Sequence, residues 1–153
     1  MNGDQDPGDD GRRDPTPSRD AAVTEAMIHD VVHAFYARAR RDPDLGPIFD
    51  RAVRDWDAHL SKLCDFWSSV MLGTRRFRGA PVTVHAQRPD IQAAHFARWL
   101  LLFRQTAEDV CPPEAAALFI ARSEIIGESL KLGIAGNRAA AAAPAVRRGP
   151  DGP

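Results

Sequence analysis

DWDAHLSKLCDFWSSVMLG, residues 55–73, holds the periodicity that decides the fold. Trp56, Leu60, Leu63, Phe66 with Trp67, and Val70 recur every three or four residues, the spacing of one face of an α-helix. Asp55 stands where an N-cap belongs, and Gly73 where a helix stops, since glycine enters the left-handed conformation without strain. The stretch predicts one long amphipathic helix whose aromatic face needs partners.

Those partners lie on either side. Upstream, Val23, Met27, Ile28, Val31, Phe35 and Ala39 follow helical spacing over Ala21–Arg41, with Asp20 as a cap and Asp42-Pro43 as the end. LGPIF (Leu45–Phe49) reads as a turn into a short helical piece ending near Val53. Downstream, GTRRFRGAP (Gly73–Pro81) is a loop, and Val82–Arg88, held between Pro81 and Pro89, has space for one or two helical turns. A third long helix is expected over about Asp90–Val110, with Ile91, His95, Trp99, Leu102, Phe103 and Thr106 on one face. Cys111-Pro112-Pro113 breaks it and starts a fourth, Pro113–Leu132, because proline is tolerated in a first turn. No stretch alternates with period two. The expectation is an all-α domain of four substantial helices and two short pieces.

Composition narrows the function. Residues 1–19 are rich in Asp, Gly, Pro and Arg, and residues 135–153 in Ala, Pro and Gly. Both read as disordered tails, because neither buries enough apolar surface to offset the entropy of ordering. The domain then spans residues 20–134. A formal charge of −1 with interspersed signs gives no nucleic-acid surface. No apolar run approaches the roughly 18 residues of a membrane span, and the acidic N-terminus has no secretion signal. Cys64 and Cys111 show neither metal spacing nor a disulfide framework, which favours a reducing cytoplasm.

Conventional catalytic motifs are missing. Ser68-Ser69 lies within a helix without a nucleophile-elbow turn, GTRRFRG lacks the Lys-Ser/Thr of a nucleotide loop, and no acidic pair stands out. His29 and His33 have the spacing of a metal pair but no third ligand nearby. His59 and His95 lie on inward stripes, where histidine is usually a satisfied core residue. His85 differs: a short segment pinned by prolines presents one imidazole among small apolar neighbours. Tyr36, the sole tyrosine, sits in an apolar stripe, where an unmet hydroxyl would cost about 1–3 kcal/mol. Phe35, Phe49, Phe66, Trp67, Phe77, Trp99, Phe103 and Phe119 supply much flat area, which serves either ordinary packing or a slot for a planar cofactor.

Phe35-Tyr36, DPDLGPIF (Asp42–Phe49), WDAHL (Trp56–Leu60), FWSSVMLG (Phe66–Gly73), FRGAPVTVH (Phe77–His85) and HFARWLLLF (His95–Phe103) together resemble the group III truncated hemoglobins. The resemblance implies a shortened globin fold, a two-over-two helical sandwich around heme b. It implies His85 as the proximal iron ligand, with Tyr36, Trp99 and His59 on the distal side as hydrogen-bond donors to a diatomic ligand. Phe35, Phe49, Leu63, Phe66 and Trp67 would meet the cofactor, and Lys62 would reach a propionate. His95 is left a packing or surface role. The implied ligands are O2, NO, CO or peroxide, and the implied chemistry is redox turnover such as NO dioxygenation or a peroxidase-like reaction, fed by a separate reductase. A heme-based sensor and a heme-free globin-like interaction domain are the alternatives.

Overall fold

Six helices make up the regular structure of residues 23–86 and 88–142, which the computed structural model describes. They are α1 (Glu25–Ala39), α2 (Gly46–Ala52), α3 (Trp56–Leu72), α4 (Pro81–Ala86), α5 (Ala93–Val110) and α6 (Pro113–Ala142). No strand occurs among the described residues, and none of the helices is long and apolar enough to cross a membrane. The pairs α1–α3 and α5–α6 meet through α1 and α5, while the short α4 rests on α6.

Each helix begins and ends for a local reason. Thr24 caps α1, its hydroxyl accepting the Met27 N–H at 3.2 Å; the expected cap, Asp20, lies outside the described residues. Asp55 caps α3 through the Ala58 N–H at 3.0 Å, and Gly73 ends it in the left-handed region at φ 68°. The turn into α2 is organised by Asp42. One of its carboxylate oxygens accepts the N–H groups of Asp44 and Leu45, each at 3.0 Å, and the other meets Arg98 of α5 at 2.6 and 2.8 Å. Gly46 is required here, because a Cβ would lie 2.6 Å from the Arg40 carbonyl oxygen.

The core forms where α1, α3, α5 and α6 converge. Phe35, Trp67, Phe103 and Phe119 are almost wholly buried. Phe103 lies flat between two indoles, with Trp67 at 4.9 Å and Trp99 at 5.0 Å between ring centroids. The loop after α3 is tied back to α1. Ser68 donates to Glu25 at 2.7 Å and shares a hydrogen with Thr74 at 2.9 Å. Arg76 pairs with Glu25 at 3.2 Å, and the Phe77 N–H donates to Ser69 Oγ at 2.9 Å.

Helix α6 corrects the expected C-terminal boundary. It runs ten residues past Leu132 to Ala142, so residues 135–142 are helical and not part of a disordered tail. Alanine is the strongest helix former, and Arg138 anchors the extension by donating to the carbonyls of Arg88 and Ile91 at 2.9 and 3.0 Å. The segments 1–19 and 143–153, also read as tails, lie outside the described residues.

Burial alone would raise the pKa of Asp42, but Arg98 and the two N–H donors outweigh it and hold the carboxyl below its usual value. A carboxylate depressed in the folded state stabilises above the unfolded pKa of about 3.9, and that stability is lost as pH falls through the folded value. Asp42→Asn is therefore expected to cost about 1–3 kcal/mol near pH 7 in urea unfolding. The deficit should shrink steadily on acidification.

Candidate functional site

On α4, Pro81 begins the helix and its carbonyl is the acceptor for the Nδ1–H of His85, at 2.6 Å. A carbonyl oxygen can only accept, so the hydrogen resides on Nδ1 and the lone pair on Nε2. A second group that fixes the tautomer in this way is the usual device for preparing a metal-binding imidazole. Phe96 of α5 stands beside the ring at 6.4 Å.

A second set of polar tips gathers on α1, α3 and α5. Tyr36 is buried, with Phe49 at 5.5 Å, His59 at 5.8 Å and Trp56 at 6.0 Å around its ring. The indole of Trp99 is the neighbour that acts against the burial of its hydroxyl. Burial pushes the phenol well above its ordinary value, and the Trp99 hydrogen bond offsets only part of this. His59 is half-buried, and burial, then the charge of Lys62, lower its pKa. It is neutral near pH 7, with one nitrogen free to donate and one to accept.

The remaining residues separate into two layers. Phe49, Leu63 and Phe66 are half-buried and keep apolar surface for a partner. Phe35 and Trp67 are 0% and 2% exposed and have no free surface; they hold other rings in place, Phe35 against Tyr36, Trp99 and Phe103, and Trp67 against Phe66, Phe103 and Phe119. Lys62 is exposed one turn from His59. His95 stands apart as a helix-capping group, its Nδ1 accepting the Gln92 N–H at 2.9 Å. His29 and His33 stack at 3.9 Å on the outer surface of α1. Both thiols are pushed up, Cys64 by burial, Asp65 and Glu25, and Cys111 by burial and Asp30, so neither is a ready nucleophile.

Trp56, Phe77, Asp90, Arg51 and Arg88 were not named as site residues from the sequence. Trp56 lies 5.6 Å from His59 and carries the Arg40 guanidinium at 4.4 Å. Phe77 packs edge-on against Phe66 at 5.1 Å. Asp90 joins Arg51 of α2 at 3.2 Å and Arg88 at 3.4 Å. Trp56 and Phe77 were visible in a stripe and a motif, but only the fold shows which rings they meet. The Arg51–Asp90 pair joins segments distant in sequence, and no local pattern announces it.

One imidazole with a prepared lone pair, a separate cluster of polar tips on α1, α3 and α5, and half-buried flat side chains suit a planar apolar group with a central metal. Comparison with known proteins agrees. The bacterial-like globin family matches residues 20–120. The chain is similar to the group 3 truncated hemoglobin of Campylobacter jejuni, at 30% identity over 108 residues, covering 68% of this chain and 85% of that one. The crystal structure of a group III truncated hemoglobin from Campylobacter jejuni superposes with a TM-score of 0.69 at 28% identity, over 73% of this chain and 91% of that one. The chain belongs to the bacterial-like globins and, among them, to the group III truncated hemoglobins. It has the all-α globin fold, and heme and small diatomic ligands are what its family binds.

Because Tyr36 is the sole tyrosine, phenolate absorbance reports it alone. The folded protein should show no phenolate near its ordinary pKa of 10.0, and Trp99→Phe, which removes the donor, should move the midpoint higher still. Since the unfolded chain releases this proton first, stability should fall as pH rises above 10.0.

Proposed function

We propose that the chain binds heme b through His85 Nε2 and takes a diatomic ligand on the side of Tyr36, Trp99 and His59. The observation that carries this is the His85–Pro81 hydrogen bond at 2.6 Å, which sets a lone pair on His85 Nε2. Phe49, Leu63 and Phe66 offer apolar contact to the cofactor, backed by Phe35 and Trp67, and Lys62 offers a cation to one of its carboxylates. Heme supplies an iron with an open coordination position and one-electron redox chemistry.

The chain's own contribution is directional. With the Trp99 N–H as donor to the Tyr36 oxygen, as the lowering effect of Trp99 on this phenol supports, the phenolic hydrogen is free to point at a ligand. A donor that is itself hydrogen-bonded is polarised and donates more strongly. Neutral His59 adds a second donor or, when it swings aside, clears the entrance. The raised pKa keeps the Tyr36 hydrogen on its oxygen throughout the physiological range. Each such donor contributes about 1 kcal/mol net, so two or three retard O2 release by about one to three decades.

Tight retention suits redox turnover of O2, NO or peroxide better than delivery of oxygen, with a separate reductase as electron donor. NO dioxygenation or a peroxidase-like reaction fits this reading. The free cysteines, Cys64 and Cys111, agree with a cytoplasmic setting.

The purified chain should show a Soret band, and His85→Ala should lose heme or alter the ferrous spectrum. Full heme binding by that variant with an unchanged ferrous spectrum rejects His85 as ligand. In stopped-flow measurement, O2 dissociation from Tyr36→Phe and Trp99→Phe should each accelerate about tenfold or more, at about 1.4 kcal/mol per decade. Wild-type rates would mean that these donors do not reach the ligand. NO consumption by the O2-loaded protein separates dioxygenation from peroxidase-like turnover.

A further inference from the structure

Between α4 and α5 lies a cationic cluster that packing leaves incomplete. Arg88 follows His85 by one turn, its backbone N–H donating to the His85 carbonyl at 3.1 Å. Its terminal nitrogen pairs with Asp90 at 3.4 Å, and Asp90 also receives Arg51 of α2 at 3.2 Å. Two arginines thus share one carboxylate, leaving a surplus positive charge. Arg88 Nε is buried, and it has no hydrogen-bond partner among the described residues. A buried guanidinium N–H without an acceptor is costly, because hydrogen bonds to charged groups are among the strong ones.

The backbone around Arg88 is also unusually well secured for a loop. Arg138, from the extension of α6, donates to the carbonyls of Arg88 and Ile91 at 2.9 and 3.0 Å. The Ile91 N–H donates to the Arg88 carbonyl at 3.3 Å. The Arg51–Asp90 pair joins this loop to α2, the helix that carries Phe49. Arg88 is therefore fixed one turn from the candidate iron ligand, in a loop tied to the helix that carries Phe49.

We infer that Arg88 is a cofactor-binding residue whose Nε–H, without an acceptor among the described residues, donates to a heme carboxylate, with Asp90 holding the guanidinium in place. This rests on the heme reading above. Lys62 on α3 and Arg88 beyond α4 then supply one cation for each of the two carboxylates, from different sides of the site. An anion at Arg88 also balances the surplus charge of the Arg51–Asp90–Arg88 group.

The test uses the full chain loaded either with ordinary heme or with its dimethyl ester, which cannot present a carboxylate. Transfer of ferric heme to an excess of an apoprotein scavenger is followed by absorbance. Arg88→Met should speed the loss of ordinary heme about tenfold or more, as expected for a lost charged hydrogen bond. With the dimethyl ester, the variant and wild type should lose heme at rates within about twofold of each other. Equal acceleration with both cofactors would overturn the inference, since Arg88 would then act only by holding the loop, and so would no acceleration with either. If Arg88→Met does not fold, Arg88→Lys replaces it: a retained cation without the Nε–H should give a smaller acceleration, again confined to ordinary heme. A chain that shows no Soret band at all rejects the heme reading itself, an outcome distinct from heme that binds through His85 and leaves at the same rate in both proteins.

Discussion

The flat stack of Trp67, Phe103 and Trp99 is the contact on which the site depends. Trp67 belongs to α3, and Phe103 and Trp99 to α5, so the Trp67–Phe103 contact at 4.9 Å joins the two helices, while Phe103 holds Trp99 at 5.0 Å within α5. Nearly parallel rings at this separation combine large apolar burial with directional attraction. Phe35 closes the stack edge-on from α1. Trp99 is thereby held in one plane, beside the buried Tyr36 whose raised pKa it partly offsets. A hydrophobic contact thus positions a polar group.

The His85 side is built on a different principle. Helix α4 has six residues, too few to be stable alone, and it gains its place by resting on α6. Its imidazole is set by the Pro81 carbonyl, whose second lone pair accepts the Nδ1–H one turn along the same helix. A short helix with a preset imidazole can hold a ligand without a large core of its own. The other wall is rigid because it belongs to the main core, so the two sides of the site draw on separate sources of order.

Ion pairs at the margins join segments that the aromatic core does not reach. Asp42 is nearly buried and binds Arg98, fixing the turn before α2 to α5. Glu25 gathers Ser68 and Arg76, fixing the loop after α3 to α1. Arg138 does the same for the loop after α4. Surface ion pairs contribute little to stability, whereas the buried end of the Asp42–Arg98 pair, completed by two backbone donors, contributes more. The function of the others is to hold loops that border the site.

By itself the sequence determined the helices and most of their limits. Apolar residues at period 3.6, Asp55, Gly73 and the prolines near residues 43, 81, 89 and 112 act through local backbone geometry, which needs no partner. Motifs such as LGPIF and FWSSVMLG also made the globin fold legible, along with His85, Tyr36, His59 and Trp99 as candidates. The end of α6 was misjudged because an alanine-rich segment reads equally as helix or tail until Arg138 finds its acceptors. Only the tertiary structure decided how deeply each candidate lies, with Phe35 and Trp67 almost wholly enclosed and Phe49, Leu63 and Phe66 half-buried. It alone brought Arg51 to Asp90. Helix periodicity is written in neighbouring residues, whereas burial and long-range ion pairing arise from groups that meet only once the chain has packed.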